Sequence, residues 1–275
     1  MKKCRIAGLA LVASIVIYGC NGNDQEDNSS SDNLDVIPAP VALTYQIVNQ
    51  FKHDTSAFTE GFTFHEGKLF ESTGSPSDSE VTTSGTWIGS IDLNTGKYDK
   101  KVELGKSIFG EGITFLNGKL YQLTYRHYKG YVYDAKTFRK LREFSYKGEG
   151  WGLTNDGTSL IMSNGTSNLY YLNPDSLTFI KMLPVQDNNG YVGDINELEY
   201  INGFIYANQW LTGNILKINP ATGYVVGKMD LARQVADIKN RSRQAEEMNG
   251  IAYDSTSGKT YITGKKWPVI YEIKW

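Results

Sequence analysis

Two side chains on which catalysis and cross-linking often depend are nearly missing from this sequence: its 275 residues include two cysteines and three histidines. Both cysteines, Cys4 and Cys20, fall at the N-terminus, so the body of the chain has no disulfide, no thiol nucleophile and no cysteine metal site. His53, His65 and His127 are scattered over a strand edge, a turn and a loop, which leaves a histidine metal centre or a Ser-His-Asp triad little support. The apolar-rich stretch from Ile6 to Tyr18 is too short to span a bilayer as a permanent helix. Neither sign of charge dominates, the formal net being −2.

That N-terminal stretch is informative in another way. Lys2, Lys3 and Arg5 form a basic start, an apolar segment follows, and Gly19-Cys20 closes it, which is the pattern of a bacterial secretory signal. The ending Ile17-Tyr18-Gly19-Cys20 resembles the lipobox of bacterial lipoproteins, although Tyr18 is bulkier than that motif usually takes. The resemblance implies a leader over residues 1–19, a lipidated Cys20 and attachment to the membrane of the cell envelope; ordinary cleavage beside an incidental cysteine is the plainer alternative. Asn21 after the cysteine, where an aspartate would favour the inner membrane, tilts the expectation to the outer one. Asn21 to Asp35 carries five acids and one aliphatic side chain, too little apolar surface to fold, so residues 20–40 read as a tether. Without the three basic residues of the leader and these five acids the chain has 25 basic against 25 acidic residues, and a general affinity for nucleic acid is not expected.

Five segments of the remaining chain say nearly the same thing: "EGFTFHEGKLFESTG" from Glu60, "EGITFLNGKLYQLTY" from Glu111, "WGLTNDGTSLIMSN" from Trp151, "NELEYINGFIYANQW" from Asn196 and "NGIAYDSTSGKTYITGK" from Asn249. Their starts are 51, 40, 45 and 53 residues apart, the period of propeller blades. Each copy is a hairpin with a His-Glu-Gly or Asn-Gly type of turn, followed by a third strand, a turn such as Asn-Thr-Gly or Asn-Pro-Asp, and a fourth. The last copy ends one strand short, at "VIYEIKW", and "LTYQIVNQF" from Leu43 to Phe51 is the spare strand that pairs with it. The spacing therefore predicts an all-β fold over residues 41–275: a five-bladed β-propeller whose N-terminal strand closes the last blade. Val235 to Glu247 is the only plausible helical insertion, and it falls on the rim.

Equivalent positions in a propeller form rings around the central channel. The repeat starts give Glu60, Glu111, Trp151, Asn196 and Asn249; seven residues past each turn glycine stand Gly74, Tyr125, Asn164, Trp210 and Lys265. The start of one hairpin strand lies beside the end of its partner, so both rings open at one mouth. Aromatic walls with a few convergent polar groups are the character of a small-molecule site. Polar repeat starts can equally serve strand ends and channel water, and for Glu60, Asn164 and Asn249 taken singly the two readings balance; Glu111 with Lys265 and two tryptophans favours function. "GEGWG" lies between strands and precedes no helix, and "GKK" at 264–266 lacks the required spacing, so neither is a phosphate loop.

At these residues the chain resembles the glutaminyl cyclases, or glutamine cyclotransferases, of plant and bacterial type. The resemblance runs from about Thr44 to Trp275 and is carried by "FTEGF", "LFESTG", "FGEGIT", "YQLTY", "GWGLTNDG", "NELEYING", "ANQW", "NGIAYD" and "TGKKWP", in that order. It implies a five-bladed propeller that converts an N-terminal glutamine to pyroglutamate with release of ammonia. It implies Glu111 as the catalytic carboxyl, Trp151 and Trp210 as aromatic substrate walls, and Asn196 and Lys265 as further site residues. The chemistry of the reaction then assigns Lys265 and Asn196 to the carbonyl oxygen as negative charge develops and adds Phe109 and Tyr125 to the walls, with Glu60 and Asn249 as further substrate-binding positions. Glu60 stands where the family often has glutamine and Tyr125 where it often has tryptophan. Glu60 either anchors the substrate ammonium or raises the Glu111 pKa by like-charge repulsion. No metal or organic cofactor is called for, and a monomer is expected. The rival readings are a non-catalytic envelope propeller that binds a small ligand or peptide end, and an interaction module acting through its blade rims.

Overall fold

The computed structural model describes residues 36–74, 86–105 and 107–275; the expected leader and tether residues 20–35, Cys20 included, lie outside them. Among the described residues, five four-stranded antiparallel sheets follow one another along the chain. The first blade is Thr59–His65, Lys68–Thr73, Trp87–Asp92 and Lys97–Glu103, and the second is Gly110–Leu116, Lys119–Thr124, Lys129–Asp134 and Lys140–Ser145. The third is Leu153–Asn155, Leu160–Met162, Asn168–Leu172 and Phe179–Pro184. The fourth is Ile195–Ile201, Phe204–Gln209, Asn214–Ile218 and Val225–Asp230. In the fifth, Met248–Asp254, Lys259–Gly264 and Val269–Lys274 are completed by Gln46–Lys52, so the five-bladed propeller is closed by its N-terminal strand as the repeat count requires.

The turn chemistry explains the hairpins. Glu66-Gly67, Asn117-Gly118 and Asn202-Gly203 all have positive φ at both residues, the geometry of the tight turn whose twist matches antiparallel strands. Each sheet buries both faces, because five apolar clusters fill the five seams between blades. Phe62 and Leu69 pack against Ala252, Tyr261 and Ile270 across the seam of blades one and five, while Phe70 and Ile88 meet Ile113 and Leu120 on the other face. Alternate residues of one strand thus serve two different cores.

Three details depart from the sequence reading. The N-terminal strand starts at Gln46 rather than Leu43, and Val41–Ala42 adds in parallel to the outer strand of blade four. One short segment therefore laces the fourth blade to the fifth. The helix spans Ala232–Arg241 instead of 235–247. It stops early because Glu246 N–H donates to the Lys265 carbonyl (2.9 Å) and Lys265 N–H to the Glu247 carbonyl (2.9 Å), which needs extended chain. A two-residue hairpin, Gln186–Asp187 with Gly190–Tyr191, links blades three and four.

At the entrance of the inner strands the pairing register slips: between Thr59 and Gly61, Gly110 and Ile113, Ile195 and Leu198, and Met248 and Ile251. A bulge turns consecutive residues toward the axis. The residue after each repeat start is Gly61, Gly112, Gly152, Glu197 and Gly250. A Cβ on Gly112 would lie 2.4 Å from Leu153 N, and one on Gly152 2.1 Å from Asn196 O, so glycine is what lets neighbouring blades touch through backbone. Gly152→Ala is expected to destabilise the domain by at least about 2 kcal/mol through this overpacking. Gly67→Ala, which meets open space but keeps φ +76, is expected to cost only about 1 kcal/mol. Urea unfolding of the two variants measures the difference.

Candidate active site

Because the bulges sit at one end of the channel, they aim the repeat-start side chains into one mouth. Glu60, Glu111, Asn196 and Asn249 are all buried there, and Lys265 reaches them from the end of the second strand of blade five at 6 % exposure. Lys265 Nζ is 2.8 Å from Glu60 Oε1. Asn249 Nδ2 donates to the other Glu60 oxygen (3.1 Å) and to the Thr59 carbonyl (3.0 Å), which fixes Glu60 from the neighbouring blade. Asn196 comes from blade four, its carbonyl taking the Ser163 hydroxyl at 2.6 Å, and its side-chain oxygen is buried without a hydrogen-bond partner. Glu111 has no hydrogen-bond partner among the described residues, yet it is near enough to Glu60 and Lys265 for both charges to act on it.

The walls are aromatic. Trp151 and Trp210 meet edge to face with centroids 5.6 Å apart, and Trp151 Nε1 donates to Glu149 at 3.0 Å. On the other side Phe109 stands 5.6 Å from Tyr125 and 6.1 Å from Phe58. Phe109 also covers Gly74, where a Cβ would lie 2.3 Å from its ring and 3.0 Å from the Glu60 side chain. The second ring of positions therefore brings Tyr125, Trp210 and Lys265 to the mouth and leaves space at Gly74. Asn164 turns away: its side-chain oxygen takes the Thr166 hydroxyl of its own loop at 2.6 Å.

Burial first, and the Glu60 carboxylate second, push the Glu111 carboxyl well above the ordinary range, against the pull of Lys265; Glu149 adds to the rise. Glu60 itself is raised by burial from the ordinary 4.5 to about 7, with Lys265 opposing. Burial pulls Lys265 down, but Glu60 and Glu111 outweigh it and the ammonium is kept above its usual value. The mouth thus holds a firmly charged lysine, a carboxyl paired with it, and a second carboxyl that burial and the first one push toward its protonated form. This is the equipment of proton transfer beside a developing negative charge.

Sequence reasoning missed Phe58, whose ring lies 4.7 Å from Lys265 Nζ. It stands two residues before Glu60 in "FTEGF", and strand alternation signals its side. It also missed the acids below the mouth. Glu197 accepts from Phe62 N–H of blade one (3.2 Å) and from Ile251 N–H of blade five (2.8 Å), and Glu199 accepts from Tyr253 N–H (2.9 Å). Two acids at alternate positions of an otherwise apolar strand, "NELEY", were the available signal.

A five-bladed propeller with a buried acid-base pair and aromatic walls at one mouth defines a β-propeller enzyme acting on a small polar group. The sequence profile described as glutamine cyclotransferase matches residues 12–275, and the chain belongs to that family. It is 36 % identical over 232 residues to the glutaminyl-peptide cyclotransferase of Arabidopsis thaliana, covering 83 % of this chain and 70 % of that protein. The crystal structure of Myxococcus xanthus glutaminyl cyclase superposes with a TM-score of 0.78 at 34 % identity, covering 86 % of this chain and 97 % of the other.

The buried acids have a consequence for stability. Burial raises Glu199 from the ordinary 4.5 to about 8, so the folded state holds a proton that the unfolded chain releases. The stability this gives is full below about 4.5 and is lost as pH rises through about 8. Glu199→Gln should therefore flatten the fall of Tm between those values, measured by thermal melts across the range.

Proposed function

We propose that Glu111 is the proton carrier, and Lys265 with Asn196 the oxyanion partners, of the glutaminyl-peptide cyclotransferase reaction. The chain is a glutaminyl-peptide cyclotransferase: it closes an N-terminal glutamine to pyroglutamate and releases ammonia. The substrate's α-amine attacks its own γ-amide carbon, so a five-membered ring forms as the C–N bond to the departing nitrogen breaks. Glu111, as the carboxylate, takes the proton that the attacking amine sheds and returns it to the departing nitrogen, which leaves as ammonia. Its raised pKa suits both halves of that transfer, being closer to that of the amine than an ordinary carboxyl would be. In the tetrahedral intermediate the former carbonyl oxygen carries negative charge. Lys265 has one proton engaged with Glu60 and can direct the others at that oxygen, joined by the Asn196 amide. Trp151, Trp210, Phe109 and Tyr125 hold the flat amide and displace water, keeping amine and carbonyl in reach of each other.

Glu60, fixed by Lys265 and Asn249, contributes in two ways. It holds Lys265 charged and aimed, and its own charge raises Glu111. Asn249 works behind it as the group that fixes its second oxygen. The observation that carries this reading is a buried carboxyl, without a hydrogen-bond partner among the described residues, beside a buried lysine-carboxylate pair in an aromatic mouth.

We also infer that Cys20 is lipidated after removal of residues 1–19, that the enzyme works as a monomer on a tether in the bacterial cell envelope, and that its substrates are peptides or small molecules with an N-terminal glutamine. The basic start, apolar stretch and Gly19-Cys20 ending support the anchor.

Ammonia release from a glutaminyl dipeptide tests the chemistry. Glu111→Gln is expected to lower kcat by about 10²–10⁴-fold with the fold intact by circular dichroism. Near-native turnover by this variant removes Glu111 from the role. Mass spectrometry of the membrane fraction tests the anchor: the expected mature N-terminus is a diacylglycerol-modified Cys20, and Cys20→Ala should leave the protein unanchored.

A further inference from the structure

The ring is closed where blade five meets blade one, and at that seam lies a buried group of side chains outside the mouth. His53 and Glu71 have no exposed side-chain surface. His53 Nδ1 is 2.6 Å from the Trp267 carbonyl, and its Nε2 is 3.2 and 3.3 Å from the two Glu71 oxygens. Glu71 also accepts the Thr59 hydroxyl (2.6 Å) and the Tyr98 hydroxyl (2.7 Å). Thr59 directly precedes Glu60, and Trp267 ends the turn that begins at Lys265. His53 N–H reaches the Pro268 carbonyl (3.2 Å), and Lys266 N–H the Ala57 carbonyl (2.8 Å), so the same seam is stitched on both sides of the pair.

We propose that His53 and Glu71 share one bound proton across the closing seam, and that this proton positions Glu60 and Lys265 for the cyclotransferase reaction. The geometry counts the proton. A carbonyl can only accept, so Nδ1 must carry hydrogen. Nε2 then faces a carboxyl that already accepts two hydroxyls. Either Nε2 carries a hydrogen as well, giving imidazolium and carboxylate, or Glu71 donates to it as the neutral acid. Both arrangements hold one proton more than neutral histidine with carboxylate. Without that proton the Nε2 lone pair faces the Glu71 charge, a buried carboxylate is left uncompensated, and the contact between Thr59 and the Trp267 turn loosens.

The groups facing the ring from every side agree. Glu71 and the Tyr98 ring, 6.4 Å away edge-on, come from blade one, Thr263 Oγ1 (3.5 Å) and the Trp267 carbonyl from blade five, and Asp54 from the same segment. None is cationic. Burial lowers the His53 pKa, but Glu71 outweighs it with the help of the Trp267 carbonyl and Asp54, and the net direction is up. The stabilising proton is therefore fully held below the ordinary histidine value of 6.5 and is lost as pH rises through the raised one.

The inference rests on the cyclotransferase reading for its catalytic half, so the test has a readout for each half. Nitrogen-15 correlation spectra of the imidazole rings in the whole protein, assigned with His53→Ala, should show both His53 nitrogens bearing hydrogen, or a hydrogen shared with Glu71, at pH 6.5, the ordinary histidine midpoint, and the ring should lose that hydrogen only above it. A freely titrating neutral ring overturns the proposal whatever the activity. In kinetics, His53→Ala should lower kcat on the order of 10–100-fold with a smaller change in KM, as expected for misplaced catalytic groups. Glu71→Gln can offer its amide hydrogen to a neutral His53 and keep the seam closed, so it should stay active near pH 7 while losing the alkaline limb of the kcat/KM profile that His53 causes. An unchanged limb in Glu71→Gln overturns the switch. If the wild type released no ammonia, the function would fall, while the ring spectra and the urea stability of Glu71→Gln would still decide the seam.

Discussion

Everything in this fold turns on the inner strand of each blade having one edge without a partner strand. The N–H groups along that edge face the central channel, and buried backbone donors must be satisfied. The molecule meets the requirement with side chains and bulges. Glu197 spans the axis to Phe62 and Ile251, Glu199 takes Tyr253, Asn208 takes Gly250 at 2.8 Å, and Thr154 takes Tyr200 at 3.1 Å. Where no side chain serves, blades touch directly, as Gly112 N–H does with the Trp151 carbonyl at 2.8 Å. Gly61, Gly112 and Gly152 permit that approach, and in blade four the same position holds Glu197, the residue that fills the axis.

The same solution creates the chemistry. Bulges that relieve the inner edges also swing Glu60, Glu111, Asn196 and Asn249 into the mouth, where the aromatic belt removes water. A carboxyl in such a place resists ionisation, and the cluster is tolerable only because Lys265 offsets part of the charge. The arrangement is costly for folding, and the proton transfer proposed for Glu111 is the use that would account for it. Closure of the ring carries a second burden: Lys265 and Glu60 face each other only if the first and last blades are held in register. The seam of His53, Glu71, Thr59 and Trp267 lies behind that pair.

Much of this could be read from residues in order. The five repeat starts gave the blade count, and the missing strand after "VIYEIKW" gave the closure, because strands at a fixed period have one simple way to satisfy their edges. The rings also follow from repeat equivalence, which by itself directs Glu111, Trp151, Trp210 and Lys265 to one mouth. The helix limits and the lacing strand Val41–Ala42 were not legible, since both are decided by backbone partners more than a hundred residues away or across a turn. Glu197 and Glu199 were in plain view but without meaning, as a strand acid is ordinarily a solvated one. His53 was set aside for the same reason: a lone histidine in sequence says nothing of the carboxyl it will meet.

The sequence by itself determined the all-β period, the number of blades and which residue types share a ring, because repetition and hairpin chemistry are local and additive. Only the tertiary structure decided that Glu60 pairs with Lys265, that Glu111 has no hydrogen-bond partner among the described residues, and that a glutamate bridges the axis. Those outcomes depend on distances between segments far apart in the chain and on the exclusion of water from the space between them, and neither is written in any one stretch of residues.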